Sequence, residues 1–400
     1  MGRYKLSDVF TLQMGKTPSR SNADYWNNGD NNWVSISDMS TYSKYVDLTK
    51  ETISDEGVKG SGIKAVPPDT VILSFKLSLG KVAITTQPTY TNEAIMAFID
   101  RNIVEISPDY VFYLFSWMDW AAGTNKAVKG ITLNKATLEA YEINIPPLSI
   151  QQKIADILDR ANDLIEKRKA QIEKLDLLVK SQFVAMFGDP VTNPMGWEVR
   201  RLAEIFKVRS SKRVYQHEQT IEGVPFLRVS DLTSRIIEGI DSCSLYISNQ
   251  LFDTYKKAGY VPKVSDILVT SRGTLGLCYI IQDTDEFYFQ DGMISWLNRQ
   301  KIDVSPEYIL FLFCTDGIKR QIEKASAGST VGYLSLANLE ALHVMFPPYA
   351  LQTHFAAFVE RVEAQKAQLK KSLALLELNY KSLMQKCFNG EMGDEKSDKI

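Results

Sequence analysis

Residues 133–155 read LNKATLEAYEINIPPLSIQQKIA, and residues 334–356 read LSLANLEALHVMFPPYALQTHFA. The two stretches align without a gap, and each has a Pro-Pro pair just before a long amphipathic segment. Four further blocks repeat in the same order: KLSDVF (5–10) and RLAEIF (201–206), VSISD (34–38) and LRVSD (227–231), VILSFKLSLGKVAI (71–84) and ILVTSRGTLGLCYI (267–280), SPDYVFYLF (107–115) and SPEYILFLF (305–313). Ordered self-similarity of this kind predicts a chain built from two copies of one structural unit.

Each copy has two parts of different character. The first part is rich in β-branched and aromatic residues with frequent Gly, Pro, Asn and Ser, which predicts short strands and turns with one or two helices. The second part predicts a long helix, Ser149 to Phe187 in copy one and Tyr349 to Phe388 in copy two. Its apolar residues recur at steps of three and four, a pattern typical of a coiled coil. The alternative is that each helix packs only on its own globular domain.

These features predict an α/β (α+β) protein with two pseudo-repeated domains and two long helices. A helix of this length measures ~58 Å, and a linker of roughly ten residues cannot run back along it. We therefore expect the two helices to pair as an antiparallel coiled coil that separates the two domains. One heptad more or less would then change the distance between the domains.

Composition limits the function classes. The chain of 400 residues has 46 basic and 48 acidic side chains, which argues against a polycationic surface that holds phosphate indiscriminately. Its four cysteines are far apart in sequence, so neither a zinc knuckle nor a disulfide framework is predicted. No stretch approaches the ~18 consecutive apolar residues of a membrane span. We expect a cytoplasmic protein without a membrane partner, in which any nucleic-acid binding comes from local patches.

The sequence contains no recognisable catalytic motif. The three histidines, His217, His343 and His354, stand in no metal-binding spacing. The two Pro-Pro pairs are similar to the N-P-P-Y motif of adenine methyltransferases, but Ile145 and Phe346 stand where Asn or Asp would bind the target amino group. Neither a Walker A loop nor a nuclease constellation of carboxylates and lysine is found. We predict no catalytic residue, no metal site and no cofactor on this chain.

The doubled organisation resembles the specificity subunit of type I restriction-modification enzymes. The resemblance rests on IPPLSIQQKIA (145–155), the turn SRGTLG (271–276) and the junction FGDPVTNPMGW (187–197), and it spans about residues 3–392. It implies target recognition domains at residues 1–148 and 189–348, long spacer helices at 149–188 and 349–392, and a tail at 393–400. Copy one departs from the pattern in its turn, where Lys76 and Leu77 replace Arg272 and Gly273.

The resemblance also implies partners. Each recognition domain would read one half of a bipartite double-stranded DNA target, and the chain would assemble with two methyltransferase (M) subunits and with restriction/motor (R) subunits. S-adenosylmethionine and ATP/Mg are then expected only on those partners. Two other hypotheses stay open, a stand-alone methyltransferase or nuclease with divergent motifs and a coiled-coil adaptor without DNA affinity.

Candidate phosphate contacts come from basic and hydroxyl-bearing loops. The densest basic stretch includes Lys207, Arg209, Lys212 and Arg213, although such a run is often only a solvated face. Two loops rich in small polar residues supply further candidates, and an ordinary surface loop is the alternative for both. These candidates are Lys126 and Lys129 in copy one and Ser329 and Thr330 in copy two.

Candidate base contacts follow predicted strands. Ser37 and Asp38 in copy one, and Arg228, Ser230 and Asp231 in copy two, either cap a turn or form hydrogen bonds with base edges.

The strongest single candidate is Arg272. Together with Thr274 it lies in a Gly-Thr turn between strands, where it could reach guanine or phosphate or form a surface salt bridge. Lys76 and Lys81 flank the corresponding turn of copy one.

Overall fold

The structure, a computed structural model, describes residues 2–76, 78–120, 133–300, 302–326 and 332–389. The chain divides into two compact units. Unit 1 comprises Met1–Lys169 and Lys371–Ile400, and unit 2 comprises Ala170–Lys370. The division falls inside the two long helices, so each unit contains one globular domain and half of each helix rather than a domain with a separate spacer.

Unit 1 contains one globular domain, the first half of the first long helix and the second half of the second long helix. Its elements are β1 (Gly2–Lys5), α1 (Leu6–Val9), β2 (Phe10–Met14), β3 (Trp26–Val34), β4 (Glu51–Ile53), α2 (Asp55–Ser61), β5 (Val71–Ser74), β6 (Val82–Ile84), β7 (Tyr90–Thr91), β8 (Ile95–Asp100), α3 (Pro108–Trp117), α4 (Lys135–Ala140), β9 (Glu142–Ile145) and the start of α5 (Leu148–Phe187). Its main sheet is antiparallel in the order β2-β8-β5-β6. A second sheet has the order β4-β3-β7, and β1 pairs with β9.

Strand β5 shows why this sheet forms. All four of its residues are buried, because both faces of the sheet are covered. Leu73 packs in the main core with α3 and the long helices, while Ile72 packs in a second core with Val34 and Met39. The segment after β3 therefore lies on the face of the sheet opposite the helices.

Unit 2 repeats this architecture. Its elements are the end of α5, β10 (Val199–Arg201), α6 (Leu202–Ile205), β11 (Phe206–Arg209), β12 (Gln219–Thr220), β13 (Val224–Leu227), α7 (Val229–Glu238), β14 (Tyr246–Ile247), α8 (Asn249–Lys257), β15 (Ile267–Thr270), β16 (Cys278–Ile280), β17 (Tyr288–Phe289), β18 (Ile294–Arg299), α9 (Pro306–Phe313), α10 (Asp316–Ser326), α11 (Leu336–Glu340), β19 (His343–Met345) and the start of α12 (Tyr349–Phe388). The main sheet runs β11-β18-β15-β16, strand for strand the order found in unit 1. A second sheet runs β12-β14-β13-β17, and β10 pairs with β19.

The long helices pair in each unit. In unit 1 the beginning of α5 (Ile154, Leu158) shares one core with the end of α12 (Met384). In unit 2 the end of α5 (Phe183) shares a core with the beginning of α12 (Phe355). The start of one helix meets the end of the other in both units, so the pairing is antiparallel, as predicted. Each core also includes α3 or α9, so the apolar stripe of a helix contacts both the other helix and a globular domain.

A fully buried glutamine fixes the entry into each long helix. Gln151 Nε2 donates to the Pro146 carbonyl at 2.8 Å, and Gln151 Oε1 accepts from the Ser107 N–H, also at 2.8 Å. In unit 2 the Gln352 amide makes the same two bonds to its own proline and serine. A buried amide that satisfies both partners explains why this glutamine stands in both copies.

Within the described residues, no helix combines the length and apolarity needed to cross a membrane.

Candidate nucleic-acid interface

Arg272 lies in the turn of the β15–β16 hairpin of unit 2. The turn is closed by the Gly276 N–H, which donates to the Thr270 carbonyl, and by the Leu277 N–H, which donates to Thr270 Oγ1, both at 2.9 Å. Gly276 has φ +77°, a left-handed conformation that favours glycine. Arg272 and Thr274 are exposed, and among the described residues no side chain forms a hydrogen bond or ion pair with the Arg272 guanidinium. This guanidinium is therefore available to a ligand.

The corresponding turn of unit 1 has the same backbone bonds. The Gly80 N–H donates to the Ser74 carbonyl and the Lys81 N–H donates to Ser74 Oγ, both at 2.9 Å. The loss of one glycine from the sequence pattern therefore leaves the closure of the turn intact. The ammonium of Lys76 lies 4.9 Å from the Phe75 ring centroid, and that of Lys81 donates to the Ser40 hydroxyl. Lysines in unit 1 thus replace the arginine of unit 2.

The two aspartates that follow a strand act as caps. Asp38 is 2% exposed and accepts from both the N–H (2.9 Å) and the hydroxyl (2.8 Å) of Ser35. Asp231 accepts from the Arg228 N–H at 2.9 Å, and its side chain is 12% exposed. Hydrogen bonding by these carboxylates within the chain favours the turn-capping interpretation over base contact. The exposed Ser37 and Ser230 remain candidates for DNA contact.

Arg228 differs from its counterpart in unit 1, which is a serine. Its guanidinium lies 3.3 Å from Asp231 Oδ2 and donates to the Ser244 hydroxyl at 3.2 Å, with 44% of the side chain exposed. A guanidinium held in one orientation but still half exposed has donors left for an anion or a base edge. Arg228 thus remains a candidate, and the structure adds Asp231 as the residue that orients it.

The four residues of the predicted basic cluster differ in their contacts. The Arg209 guanidinium stacks 4.7 Å from the centroid of the buried Trp296, and Arg213 Nε pairs with Asp291 at 3.0 Å. Lys207 is exposed on β11, where it helps to line a groove that also contains acidic side chains. Lys212 is exposed, with its ammonium 5.3 Å from the Tyr255 ring centroid. Lys207 and Lys212 are consequently the better phosphate candidates of the four, because neither ammonium has a hydrogen bond or ion pair to a described residue.

Four predicted residues lie outside the described part of the chain, and their DNA contacts stay predictions. They are Lys126, Lys129, Ser329 and Thr330.

Sequence reasoning missed a basic segment of unit 1. Extending the alignment of KLSDVF with RLAEIF by six residues places Lys16 opposite Lys212, so the signal was present. Lys16 is exposed, and the Arg20 guanidinium stacks 3.6 Å from the Trp26 ring centroid. Arg20 also hydrogen-bonds the Glu51 carboxylate, which holds the pKa of Glu51 below its usual range. Both domains therefore present basic side chains where the chain leaves the first strand of the main sheet.

Metal chemistry finds no support in the described residues, where no three His, Cys, Asp or Glu side chains are grouped to hold an ion. No disulfide joins the four cysteines, all of which lie in the described residues, and burial raises the pKa of Cys278 and Cys387. Raised pKa values disfavour the thiolate that a nucleophile or metal ligand requires.

Comparison with known proteins accounts for the doubled fold. The family described as "Type I restriction modification DNA specificity domain" matches the chain twice, over residues 1–174 and 194–378. The chain belongs to this family. Each match covers one of the two repeats, so the family unit is the globular domain with most of the long helix that follows it.

Two curated proteins are similar to this chain over most of its length. The type I restriction enzyme MjaIX specificity subunit of Methanocaldococcus jannaschii is 27% identical over 97% of this chain and 92% of that protein. A putative type I restriction enzyme specificity subunit of Haemophilus influenzae, S.HindORF215P, is 26% identical over 65% of this chain and 64% of that protein.

Two solved structures share the fold at low sequence identity. A chain from a study of complex assembly and conformational transition of the type I R-M system has a TM-score of 0.62 at 15% identity and covers 97% of both chains. The crystal structure of the type I restriction-modification S subunit from M. genitalium has a TM-score of 0.54 at 16% identity, with 97% and 96% covered.

Proposed function

We propose that this chain is the DNA-recognition subunit of a type I restriction-modification system and that its two domains bind the two halves of a bipartite duplex target. The doubled fold carries this proposal. Both units have the same hairpin turn and the same capped segment after a strand, but Arg272 and Arg228 of unit 2 correspond to Lys76 and Ser35 of unit 1. One scaffold with different exposed side chains suits the reading of two different half-sites.

The near-equal numbers of basic and acidic side chains limit the affinity of the isolated chain for DNA. With 46 basic and 48 acidic residues, the chain offers little of the non-specific attraction that dominates most protein–DNA binding. We expect weak DNA binding by the isolated chain and tighter binding once partners add their own basic surfaces. Sequence selectivity would still come from this chain.

Exposed leucines on the long helices support a docking role. Leu177 on α5 is 59% exposed, and Leu378, its counterpart 201 residues later on α12, is 63% exposed. Leu178 (45% exposed) on α5 and Leu375 (61% exposed) on α12 add a second exposed leucine to each helix, and grouped exposed apolar side chains mark contact surfaces. Two such surfaces fit two copies of one partner, for which we propose two methyltransferase subunits.

The chemistry belongs to the partners in this proposal. The methyltransferase subunits would bind S-adenosylmethionine, the restriction/motor subunits would bind ATP/Mg, and this chain would be non-catalytic and cytoplasmic. Methylation of DNA by the purified chain alone, with S-adenosylmethionine supplied, would contradict the non-catalytic assignment.

Replacing the exposed leucines tests the docking surfaces. Leu177→Glu and Leu378→Glu should each remove one methyltransferase subunit, and the double variant both, because a carboxylate in an apolar interface is costly to desolvate. Native mass spectrometry of the assembled complex reads the stoichiometry. Ile221→Glu is the control, since Ile221 is 94% exposed but lies in the loop between β12 and β13 rather than on a long helix. Full occupancy by two methyltransferase subunits in the double variant would refute these docking surfaces.

Replacing Arg272 tests DNA recognition by unit 2. Arg272→Ala in the complex with methyltransferase should relax selectivity at one base pair of the second half-site by about 1–3 kcal/mol if the side chain reads a base. A phosphate contact would instead lower affinity equally on all sequences and flatten the salt dependence. Competition binding across a panel of altered half-sites distinguishes the two.

Arg201→Ala provides the control for that measurement. The Arg201 side chain is 63% exposed but pairs with Glu204 beside β10, away from the hairpin turn. If Arg272→Ala changed neither affinity nor selectivity more than Arg201→Ala does, the hairpin turn would have no part in recognition.

A further inference from the structure

A buried lysine of unit 1 joins three parts of the structure. The Lys44 side chain is 10% exposed, and its ammonium lies 2.8 Å from Asp109 Oδ1 and 2.6 Å from Asp159 Oδ1. Lys44 follows β3 in the chain, Asp109 is in the first turn of α3, and Asp159 is on α5. One ammonium therefore connects a surface segment to a domain helix and to a long helix.

The cluster is fully hydrogen-bonded. The Tyr113 hydroxyl donates to Asp159 Oδ1 at 2.5 Å, and the Tyr45 hydroxyl donates to Asp109 Oδ1 at 2.8 Å. Burial alone would lower the pKa of Lys44, but the two carboxylates outweigh it and raise the pKa above its ordinary value. The charge is thus retained, and removal of one partner would leave a buried ion incompletely paired.

Lys44 belongs to the segment of unit 1 that carries the candidate DNA contact Ser37. This recognition segment, residues 35–46, contains the capped turn with Ser37. The Lys44 carbonyl accepts from the Ile84 N–H at 2.9 Å, and the Val46 N–H donates to the Ile84 carbonyl at 2.8 Å. Lys81 of the hairpin also donates to Ser40 of the segment. Segment and hairpin are therefore bonded together, and Lys44 holds both to α5.

Unit 2 has no equivalent of this cluster. Glu307 stands in place of Asp109 and accepts from the Ser305 hydroxyl at 2.6 Å. Phe311 stands in place of Tyr113, and Glu360, in place of Asp159, is exposed. Because unit 2 has the same architecture although Glu307 and Glu360 form no such cluster, the fold does not require the ion pairs of Lys44.

We propose that Lys44 is a positioning residue, which fixes the recognition segment of unit 1 against α5 and thereby aligns it with the first half-site. This inference rests on the function proposed above and adds a residue that touches no DNA. It explains why the buried cation of this segment bonds to a long helix in unit 1, whereas the buried Arg235, which follows the corresponding strand of unit 2, pairs with Asp241 and Asp285 of its own domain.

The experiment compares Lys44→Met with wild type in the complex with methyltransferase. Methionine keeps much of the side-chain volume but removes the charge, and both aspartates can rehydrate because their side chains are 38% and 44% exposed. Asp159→Asn is the second variant, since it weakens only the connection to α5 and keeps an acceptor for Tyr113. Binding is measured on matched DNA and on DNA altered in the first or the second half-site.

Lys366→Met is the matched control. The Lys366 side chain is 12% exposed, and its ammonium pairs with Asp176 and Glu363, at 2.6 and 3.0 Å, inside unit 2. It resembles Lys44 in burial and in having two carboxylate partners but does not contact a recognition segment. Melting temperatures are measured for all three variants, so that a general loss of stability can be distinguished from a loss of discrimination between half-sites.

We expect Lys44→Met and Asp159→Asn to lower discrimination at the first half-site by about tenfold, equal to about 1.4 kcal/mol, and to leave the second half-site unchanged. Lys366→Met should leave first-half-site discrimination as in wild type, whatever its melting temperature. Unchanged discrimination in Lys44→Met, or an equal loss at both half-sites, would overturn the positioning role. If the wild-type complex bound matched and altered DNA equally well, the proposed function and this inference would both be overturned.

Discussion

Inserting one heptad into both long helices is expected to shift the preferred target to one whose half-sites lie about three base pairs further apart. Seven residues lengthen a helix by ~10.5 Å, and base pairs along duplex DNA are spaced by ~3.4 Å. The insertion sites are between Lys169 and Ala170 in α5 and between Lys370 and Lys371 in α12. These points are equivalent in the repeat and lie at the division between the units, so neither core is interrupted.

The insertion should greatly lower affinity for the original target. Specific complexes are typically 10³–10⁷ times tighter than non-specific ones, so loss of one half-site from the original target should cost roughly a thousandfold in affinity. Selection from a library with every gap length measures the new preference. An insertion into α5 alone serves as the control and should abolish selection of any bipartite target, because the helices no longer match in length. An unchanged gap after the double insertion would refute the idea that the helices set the spacing.

Replacing the buried glutamine of unit 2 is expected to give the largest loss of stability. Gln352→Leu leaves the Ser305 N–H and the Pro347 carbonyl without their partner in a buried site. Each unsatisfied buried group costs about 1–3 kcal/mol, so the free energy of unfolding of unit 2 should fall by about 2–5 kcal/mol.

Urea unfolding of the full chain measures that loss. Gln365→Leu is the control, because Gln365 is exposed on the same helix and its replacement should be nearly neutral. If Gln352→Leu lost no more stability than Gln365→Leu, the glutamine junction would not fix the helix entry. The same comparison applies to Gln151 in unit 1.

Much of the fold could be predicted because the sequence repeats. The gapless alignment at the Pro-Pro pairs predicts two equivalent helix entries, and the predicted start at Ser149 is one residue from the observed start at Leu148. The short linker predicted the antiparallel pairing. The division of the chain inside the helices could not be predicted, because it depends on how strongly each helix half packs with its domain.

Details of the candidate site were harder to predict, because they depend on contacts between residues distant in sequence. Arg213 is close to Lys212 in sequence, but its partner Asp291 is 78 residues away, so sequence alone could not show that it is paired. Lys44 and Asp159 are 115 residues apart, and Glu360, the counterpart of Asp159 in copy two, is exposed, so the repeat gave no signal of this ion pair. The buried glutamines did carry a signal, because both copies have Gln at the same position of the helix entry.

Mapping of N6-methyladenine in genomic DNA tests the central claim most directly. Cells that produce this chain with its methyltransferase are compared with cells that lack only this chain, by modification-sensitive sequencing. We predict methylation at one bipartite motif with a fixed gap, lost when this chain is absent. A continuous motif, or methylation that persists without the chain, would contradict the assignment of this protein as the subunit that reads the DNA.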